Sequence, residues 1–159
     1  MARDFGANIT EVLSATELSA KGFTAGQVIQ HYNGYFYKLV KYNSGAGTIA
    51  AVAGNVCYYY APGGTSAGAT TEVTSDLSDS ANVGAGVLQS VITSGSYGWV
   101  QLTGPATLTT ALTAGADGNA LTPAGSTDGT LDVSAAVTDS ICAYAIDASA
   151  KIVMCAFPM

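Results

Sequence analysis

Apolar and polar positions alternate most regularly over residues 94–108, which read SGSYGWVQLTGPATL. Because alternate residues of a strand point to opposite faces of a sheet, Val100 and Leu102 share one face and Trp99 lies on the other. Aromatic and β-branched residues favour such a half-buried surface, so we predict a strand over 97–103, closed by a Gly-Pro turn. Trp99 then either packs in the core or anchors a contact with a partner.

The clearest hairpin pattern covers residues 27–42, where two alternating segments flank Asn33-Gly34. Asn-Gly accepts the positive φ angles of a type I′ turn, whose twist matches that of paired strands. The second strand of this hairpin places successive residues on alternate faces. One face carries Tyr35, Tyr37, Leu39 and Lys41, and the opposite face carries Phe36, Lys38, Val40 and Tyr42.

The rest of the chain predicts further short strands separated by turn residues, with an all-β fold as the result. These strands are 48–52, 55–60, 86–92, 106–112, 118–121, 129–133, 140–146 and 151–157. Strands of this length and spacing predict a small β-barrel or β-sandwich of short antiparallel strands with an N-terminal arm. Within the triplet 58–60, alternation turns Tyr59 away from its two neighbours, so the three rings cannot form one stacking platform.

Two regions depart from the strand pattern. Ser14 and Glu17 have the spacing of a capping box, which predicts a short helical turn over 15–21 in an N-terminal arm of residues 1–22. The arm carries little core material and is suited to ordering against a neighbouring subunit. Residues 61–82 are small and polar, and they predict a long flexible loop within a single β domain of residues 23–159.

Composition narrows the classes of partner. Charged residues make up 10% of the chain and the net charge is −6, with five Lys and Arg in total. Nucleic-acid binding needs clustered cations, and the sequence has none, so we expect no nucleic-acid partner. No apolar run approaches the roughly 18–20 residues that span a bilayer, and the first residues lack the apolar stretch of a secretory signal, so we expect no membrane partner.

The residues that would carry chemistry are sparse. His31 is the only histidine, and beside a turn we expect it at an ordinary surface or half-buried position. A single histidine leaves no acid–base triad and a poor metal site. The Asp-x-x-Asp spacing at Asp76 lacks the glycine and glutamate of a calcium loop and favours a solvated loop. The three cysteines form no CxxC pair and favour small buried thiols, although Cys142 and Cys155 lie on neighbouring predicted strands and leave a disulfide open. We therefore expect no catalytic residue, no cofactor and no metal.

Three features in order along the chain carry a family resemblance. They are the hairpin strand over 35–41 with its small-residue turn and 45–52, the stretch GSYGWVQLTGPA over 95–106, and the Asp-Gly pairs at 117–118 and 128–129 followed by strands ending near 146 and at 157. Together they resemble the capsid decoration (cement) proteins of tailed phages and related virion proteins.

The resemblance implies a β-rich subunit, often a homotrimer, made in the bacterial cytoplasm and bound to the outer surface of the virion head. There it would clamp neighbouring major capsid proteins against the internal pressure of DNA, with no catalytic residue. The candidate interface residues are apolar side chains of the arm and aromatic side chains of the predicted strands: Phe5, Ile9, Tyr35, Tyr37, Tyr97 and Trp99.

Two other classes of function stay open. One is another virion component, such as a head-fibre base, a tail component or a receptor-binding knob. The other is a non-viral carbohydrate-binding module or adhesin. A knob or lectin should present a concave aromatic patch, whereas a fibre should show a collagen-like or coiled-coil repeat, and the sequence has neither repeat.

Overall fold

A computed structural model describes residues 2–3, 6–64 and 68–159, and the chain is mostly β, as the alternating pattern predicts. One short helix, α1, spans Ala15–Ala20. The strands are β1 (Ala2–Arg3), β2 (Val28–Gln30), β3 (Phe36–Tyr42), β4 (Val56–Tyr60), β5 (Glu72–Thr74), β6 (Ser80–Leu88), β7 (Tyr97–Gln101), β8 (Thr103–Thr107), β9 (Ala120–Thr122), β10 (Asp132–Val133), β11 (Ala143–Asp147) and β12 (Ile152–Ala156).

The first sheet closes into a small barrel. Its strands follow the order β1-β2-β3-β5-β4-β6-β7, and a further pairing of β3 with β7 closes β3, β5, β4, β6 and β7 into a ring that leaves β1 and β2 outside. Most pairings are antiparallel, but β1 with β2 and β3 with β5 are parallel. The expectation of antiparallel strands is therefore wrong at these two pairs, where the chain crosses over before it returns to the sheet.

The predicted hairpin forms between β2 and β3, although its turn is one residue longer than expected. Gly34 adopts a φ of 87° and its N–H donates to the carbonyl of His31, while the N–H of His31 donates to the carbonyl of Tyr35. Asn33 is not in the left-handed region, so the type I′ prediction is wrong. The loop is instead the three-residue type, in which a turn is followed by a left-handed glycine.

The second sheet is antiparallel, in the order β10-β9-β11-β12-β8, and the chain enters it directly from the barrel. The predicted Gly104-Pro105 turn is wrong, because β8 continues the direction of β7 and contains both residues. Gly104 bends with a φ of 87°, and a Cβ there would lie 2.5 Å from the ring of Tyr35. Residues 97–107 therefore run through both sheets as nearly continuous strand.

The central core fills the space inside the barrel and between the barrel and the second sheet. From β3 and β7 it receives Val40, Tyr42 and Val100, and from the second sheet Leu121 and Val153, all buried. Tyr58 crosses between the two sheets, and its hydroxyl both accepts from the N–H of Thr130 and donates to that residue's carbonyl. These contacts join the two sheets into one packed unit.

Two predicted boundaries in the middle of the chain are wrong. Residues 48–52 are the end of a turn followed by irregular chain rather than a strand, because Thr48 has a φ of 53° and the chain bends back so that the N–H of Ile49 donates to the carbonyl of Ser44. The expected flexible loop over 61–82 contains β5, and β6 begins at Ser80. Among the described residues, no helix is long and apolar enough to cross a bilayer.

Candidate functional site

The candidate interface residues that the structure describes all meet in one place, on the side of β2, β3 and β7 that faces away from the central core. We call this group the aromatic cluster. Its buried members are Ala7, Ile29, Tyr37, Leu39 and Trp99, and its partly buried members are Ile9, Leu18, Phe23, Tyr35 and Tyr97. Phe5, the sixth candidate, lies outside the described residues.

Alternation along β3 and β7 explains why the cluster forms. The predicted faces are confirmed, because Tyr37 and Leu39 belong to the aromatic cluster whereas Val40 and Tyr42 belong to the central core. β3 pairs with β7 so that Leu39 lies opposite Trp99, which places both side chains on the same face. The paired strands β3 and β7 therefore contribute one face to the aromatic cluster and the opposite face to the central core.

Trp99 occupies the middle of the aromatic cluster and is fully buried. The ring of Phe23 meets it edge-on, with centroids 5.6 Å apart and an interplanar angle of 89°. This is the favourable T-shaped arrangement of two aromatic rings. The indole Nε1, however, has no hydrogen-bond partner among the residues that the structure describes, although the atom is buried. An unpaired buried donor costs free energy, so the cluster is stabilised by the packing of its side chains and not by a hydrogen bond of the indole.

Residues 6–23, which we call the N-terminal cover, close the aromatic cluster from outside. Leu13 is buried and exchanges two main-chain hydrogen bonds with Tyr97, of 2.9 and 2.8 Å. After it, α1 begins with the predicted capping box, in which Ser14 and Glu17 bond to each other's backbone N–H. The described part of the predicted arm thus packs on its own barrel rather than waiting for a neighbour.

The helix of the N-terminal cover is held lightly. None of its residues is buried, and its surroundings include an exposed ion pair between Lys21 and Glu11. The hydroxyl and backbone N–H of Ser14 lower the pKa of the Glu17 carboxyl, which stabilises the first turn. Exposed ion pairs and single caps contribute little each, so the buried side chains of the cover supply most of its attachment.

Three of the candidate residues form the partly exposed rim of the aromatic cluster: Ile9, Tyr35 and Tyr97. Tyr37 lies deeper, where burial raises the pKa of its hydroxyl, and a 2.9 Å hydrogen bond from Asn33 partly offsets this rise. Trp99 and Tyr37 are therefore not available to a partner while the cover is in place. The rim is the part that an approaching protein would contact.

His31 lies beside the cluster and is buried, contrary to the expectation of an ordinary surface or half-buried position. Its ring centroid lies 4.0 Å from that of Tyr32 and 5.7 Å from that of Tyr37, and its Nδ1 has no hydrogen-bond partner. No group of three or more His, Cys, Asp or Glu that could hold a metal occurs in the described part of the chain.

Asp76 and Asp79 hold neighbouring loops in place instead of standing in a solvated segment. Asp79 is buried and accepts from the backbone N–H groups of Ala46 and Gly63, which hold the pKa of its carboxyl below the ordinary range. Asp76 is also buried, and it accepts from Gly47 at 2.8 Å. The expected solvated loop is wrong here, because each carboxylate satisfies main-chain donors that would otherwise lack partners.

Asp76 also borders a polar groove of about 900 Å³ between the barrel and the second sheet. Asp76, Asp128 and Asp139 line it, together with hydroxyl side chains such as Ser126 and Ser140. Asp128 accepts from the N–H of Leu77, and Asp139 accepts from two consecutive backbone N–H groups. Among the described residues no aromatic side chain lines this groove, so they provide no stacking surface of the kind that most sugar sites use.

Sequence reasoning did not single out the buried lysine of the barrel. Lys38 is 7% exposed, and its Nζ donates to the hydroxyl of Tyr59 at 2.8 Å. The signal was present, since alternation along β3 places Lys38 on the same face as Val40 and Tyr42. Long side chains can bury their stems and keep the polar head at the end of a barrel.

The cysteines are small buried thiols, as predicted. Cys57, Cys142 and Cys155 are all free and buried. Burial raises the pKa of each thiol, to about 12 for Cys155. Since the thiolate is the reactive form, none of the three has the character of a nucleophile or a metal ligand.

A second surface, which the sequence analysis also missed, lies on the outer side of the second sheet. Tyr144 of β11 pairs with Met154 of β12, which pairs with Pro105 of β8, and all three side chains are exposed. The alternating burial along β11 and β12 is the signal that would have identified them.

No family model, no curated protein and no solved structure matches the chain.

Proposed function

We propose that the chain is a capsid decoration (cement) protein that binds the outside of an assembled tailed-phage head and bridges neighbouring major capsid proteins. The proposal starts from the resemblance of the hairpin and of the GSYGWVQLTGPA stretch to such proteins. It includes a homotrimer as the working unit, a location on the virion surface and a role by contact without catalysis.

The observation that carries the proposal is the chemistry of the protein's surface. Charged residues make up 10% of the chain, against roughly 25% in an ordinary domain. Large apolar side chains are instead exposed in several places, among them Tyr32 at 73% and Val91 at 68%. Such a surface suits a subunit that is covered by neighbours in a permanent assembly.

The aromatic cluster is the contact we propose for the capsid. Its rim offers Ile9, Tyr35 and Tyr97, aromatic and aliphatic groups of the kind that dominate interface energetics. The N-terminal cover lies over the same place and can adjust to a neighbour without disturbing the central core. Contact through uncharged groups is little screened by salt, in contrast to binding through ion pairs.

Co-sedimentation with heads assembled without this chain tests the proposal. We expect the purified protein to sediment with the heads and to stay bound in about 1 M salt, because screening weakens only charge-based contacts. The variant Tyr97→Lys should lose binding, whereas Val137→Lys, at a fully exposed position of the second sheet's connections, should bind like the natural chain. Absence of binding, or release by salt, would contradict the proposal.

A carbohydrate-binding role is the second candidate, and the polar groove between the two sheets is the observation that favours it. Hydroxyl and carboxylate groups line the groove. Against it, the carboxylates of Asp76, Asp128 and Asp139 already accept backbone hydrogen bonds. Binding to immobilised glycans that is lost in Ser126→Trp, which would fill the groove, would favour this candidate over the capsid role.

A further inference from the structure

We propose that the outer face of the second sheet is a self-association surface, on which two copies of the chain pack face to face about a two-fold axis. The surface consists of Pro105, Tyr144, Ile146, Ile152, Met154 and Ala156, and we call it the outer sheet face. The proposal does not rest on the capsid role. A two-fold contact can join two free chains or, on a lattice, subunits of adjoining trimers.

The register of the strands makes this face continuous. Tyr144 lies opposite Met154, and Met154 lies opposite Pro105, so one row of uncharged side chains crosses three strands. On either side of that row, Ile146 of β11 and Ala156 of β12 are also exposed. The residues between them, such as Val153, point inward to the central core. The outer sheet face is therefore a regular surface rather than scattered apolar residues.

The size of the face fits a modest interface. Tyr144, Ile146 and Met154 are 46%, 44% and 42% exposed, so together they present on the order of 300 Å². Pro105, Ile152 and Ala156 add to this area, which stays below the roughly 800 Å² per partner that a standard interface buries. Because an interface that buries a small area binds weakly, we expect a dimer with a dissociation constant on the order of 1–100 µM.

The edges of the sheet are closed, so association through the face is favoured over addition of a strand. At the β8 edge Pro105 has no N–H, and the side-chain amide of Gln101 donates to the carbonyls of Thr103 and Pro105. At the β10 edge the N–H of Thr113 donates to the carbonyl of Leu131. Proline and occupied carbonyls protect sheet edges from pairing with another chain.

Charge favours a second copy as the occupant. Each chain carries a net charge of −6, so two copies repel each other wherever their acidic loops meet. The carboxylate nearest the outer sheet face is that of Asp147, which lies opposite Ile152 at one end of the face, so a two-fold axis near Met154 keeps the two copies of it apart. A surface that binds its own copy must be self-complementary and two-fold symmetric, and a face with an uncharged centre meets that condition. Two sheets then pack about 10 Å apart with interdigitating side chains.

Sedimentation velocity of the free protein, from about 1 to 500 µM, tests the proposal directly. We expect a monomer–dimer equilibrium that Ile146→Lys weakens by at least about 100-fold, since it buries a charge against its own copy. The control Val91→Lys, at an exposed barrel loop, should dimerise like the natural chain. Thermal melts should show that both variants fold, because each change is at an exposed site.

Crosslinking gives a second, independent measurement. The three natural cysteines are buried, so Met154→Cys introduces an accessible thiol close to the proposed axis. Under mild oxidation it should form disulfide-linked dimers far faster than the control Val91→Cys. A monomer at every concentration, an oligomer that Ile146→Lys leaves intact, or equal crosslinking of the two cysteine variants would each overturn the proposal. Head binding by a strictly monomeric chain would reject this contact and leave the capsid role standing.

Discussion

The central core and the aromatic cluster are both apolar layers on the same strands, yet they are closed in different ways. The central core lies between strands of two hydrogen-bonded sheets, which supply most of its side chains. The aromatic cluster has strands on one side and the N-terminal cover on the other, attached by the Leu13–Tyr97 bridge and a six-residue helix without buried residues. The difference indicates which part of the fold can respond to a partner: the cover can shift while the core stays packed.

The largest expected effect comes from placing a charge in each layer. Leu121→Asp buries a carboxylate without a partner between the two sheets, and we expect a loss of more than about 4 kcal/mol or no folded protein. Leu18→Asp places the same group beside the partly open aromatic cluster, where water can reach it, and should leave the chain folded. Chemical unfolding of both variants measures the difference, and equal losses would show that the two layers are closed equally well.

Removing the central ring of the aromatic cluster should have the next largest effect. Trp99→Ala leaves a cavity, and we expect a loss of about 3–5 kcal/mol in the free energy of unfolding. Trp99→Phe should lose less than half as much, because it keeps a ring against Phe23 and removes an indole N–H that has no partner. If Phe destabilises as much as Ala, the indole nitrogen has a role that its contacts do not explain.

A polar deletion in the central core should have a smaller effect. Tyr58→Phe removes the hydroxyl that bonds both the N–H and the carbonyl of Thr130, leaving two buried groups unpaired. We expect a loss of about 1–3 kcal/mol. Urea unfolding measures it, with Tyr32→Phe as the control at an exposed ring that should change stability by less than about 0.5 kcal/mol.

A change confined to the N-terminal cover should be smaller still. Ser14→Ala removes the cap of α1, which in other helices is worth about 1 kcal/mol. Because the helix buries no residue, the loss should appear as faster amide exchange in residues 14–20 with little change in the midpoint of global unfolding. A drop in the global midpoint without local change would mean that the cover unfolds together with the core.

The smallest expected effect is on how the free energy of unfolding changes with pH in the acid range. The amides of Ala46 and Gly63 lower the pKa of Asp79, so this carboxylate stabilises the fold above its ordinary pKa and loses that effect as the pH falls through the lower folded value. Stability should therefore be flat between about pH 5 and 7 and decline below about pH 4. Asp79→Asn should lower stability at pH 7 and decline less steeply in acid.

Alternation predicted the layers of this protein better than it predicted the ends of its strands. Alternation correctly predicted which residues of β3 and β7 lie on each face, and the capping box correctly predicted α1, because both signals depend only on residues close in the sequence. It missed β5, whose pairing partners β3 and β4 lie about 30 and about 15 residues earlier, and it took Gly104-Pro105 for a turn. These outcomes depend on tertiary contacts, such as the packing of Tyr35 on Gly104, that composition does not reveal.

The sequence named part of the aromatic cluster as candidate interface residues, whose role at an interface stays a prediction, and it did not predict how the cluster is closed. Alternation placed Tyr35 and Tyr37 on one face and Trp99 on the matching face of β7, and the structure brings them together. That residues 6–13 would cover them was not predicted, because the segment has no strong periodicity. The buried positions of Asp76 and Asp79 were missed for a similar reason, since main-chain donors from distant loops decide them.

Hydrogen exchange on the free and the head-bound protein is the most direct test of the central claim, that the chain works by uncharged contact at the aromatic cluster. In the free protein we expect the amides of Leu13 and Tyr97 to exchange faster than those of β11 and β12, because the N-terminal cover opens locally. On heads the exchange of Leu13 and Tyr97 should slow markedly while β11 and β12 change little. Unchanged exchange at the aromatic cluster in bound protein would contradict the claim.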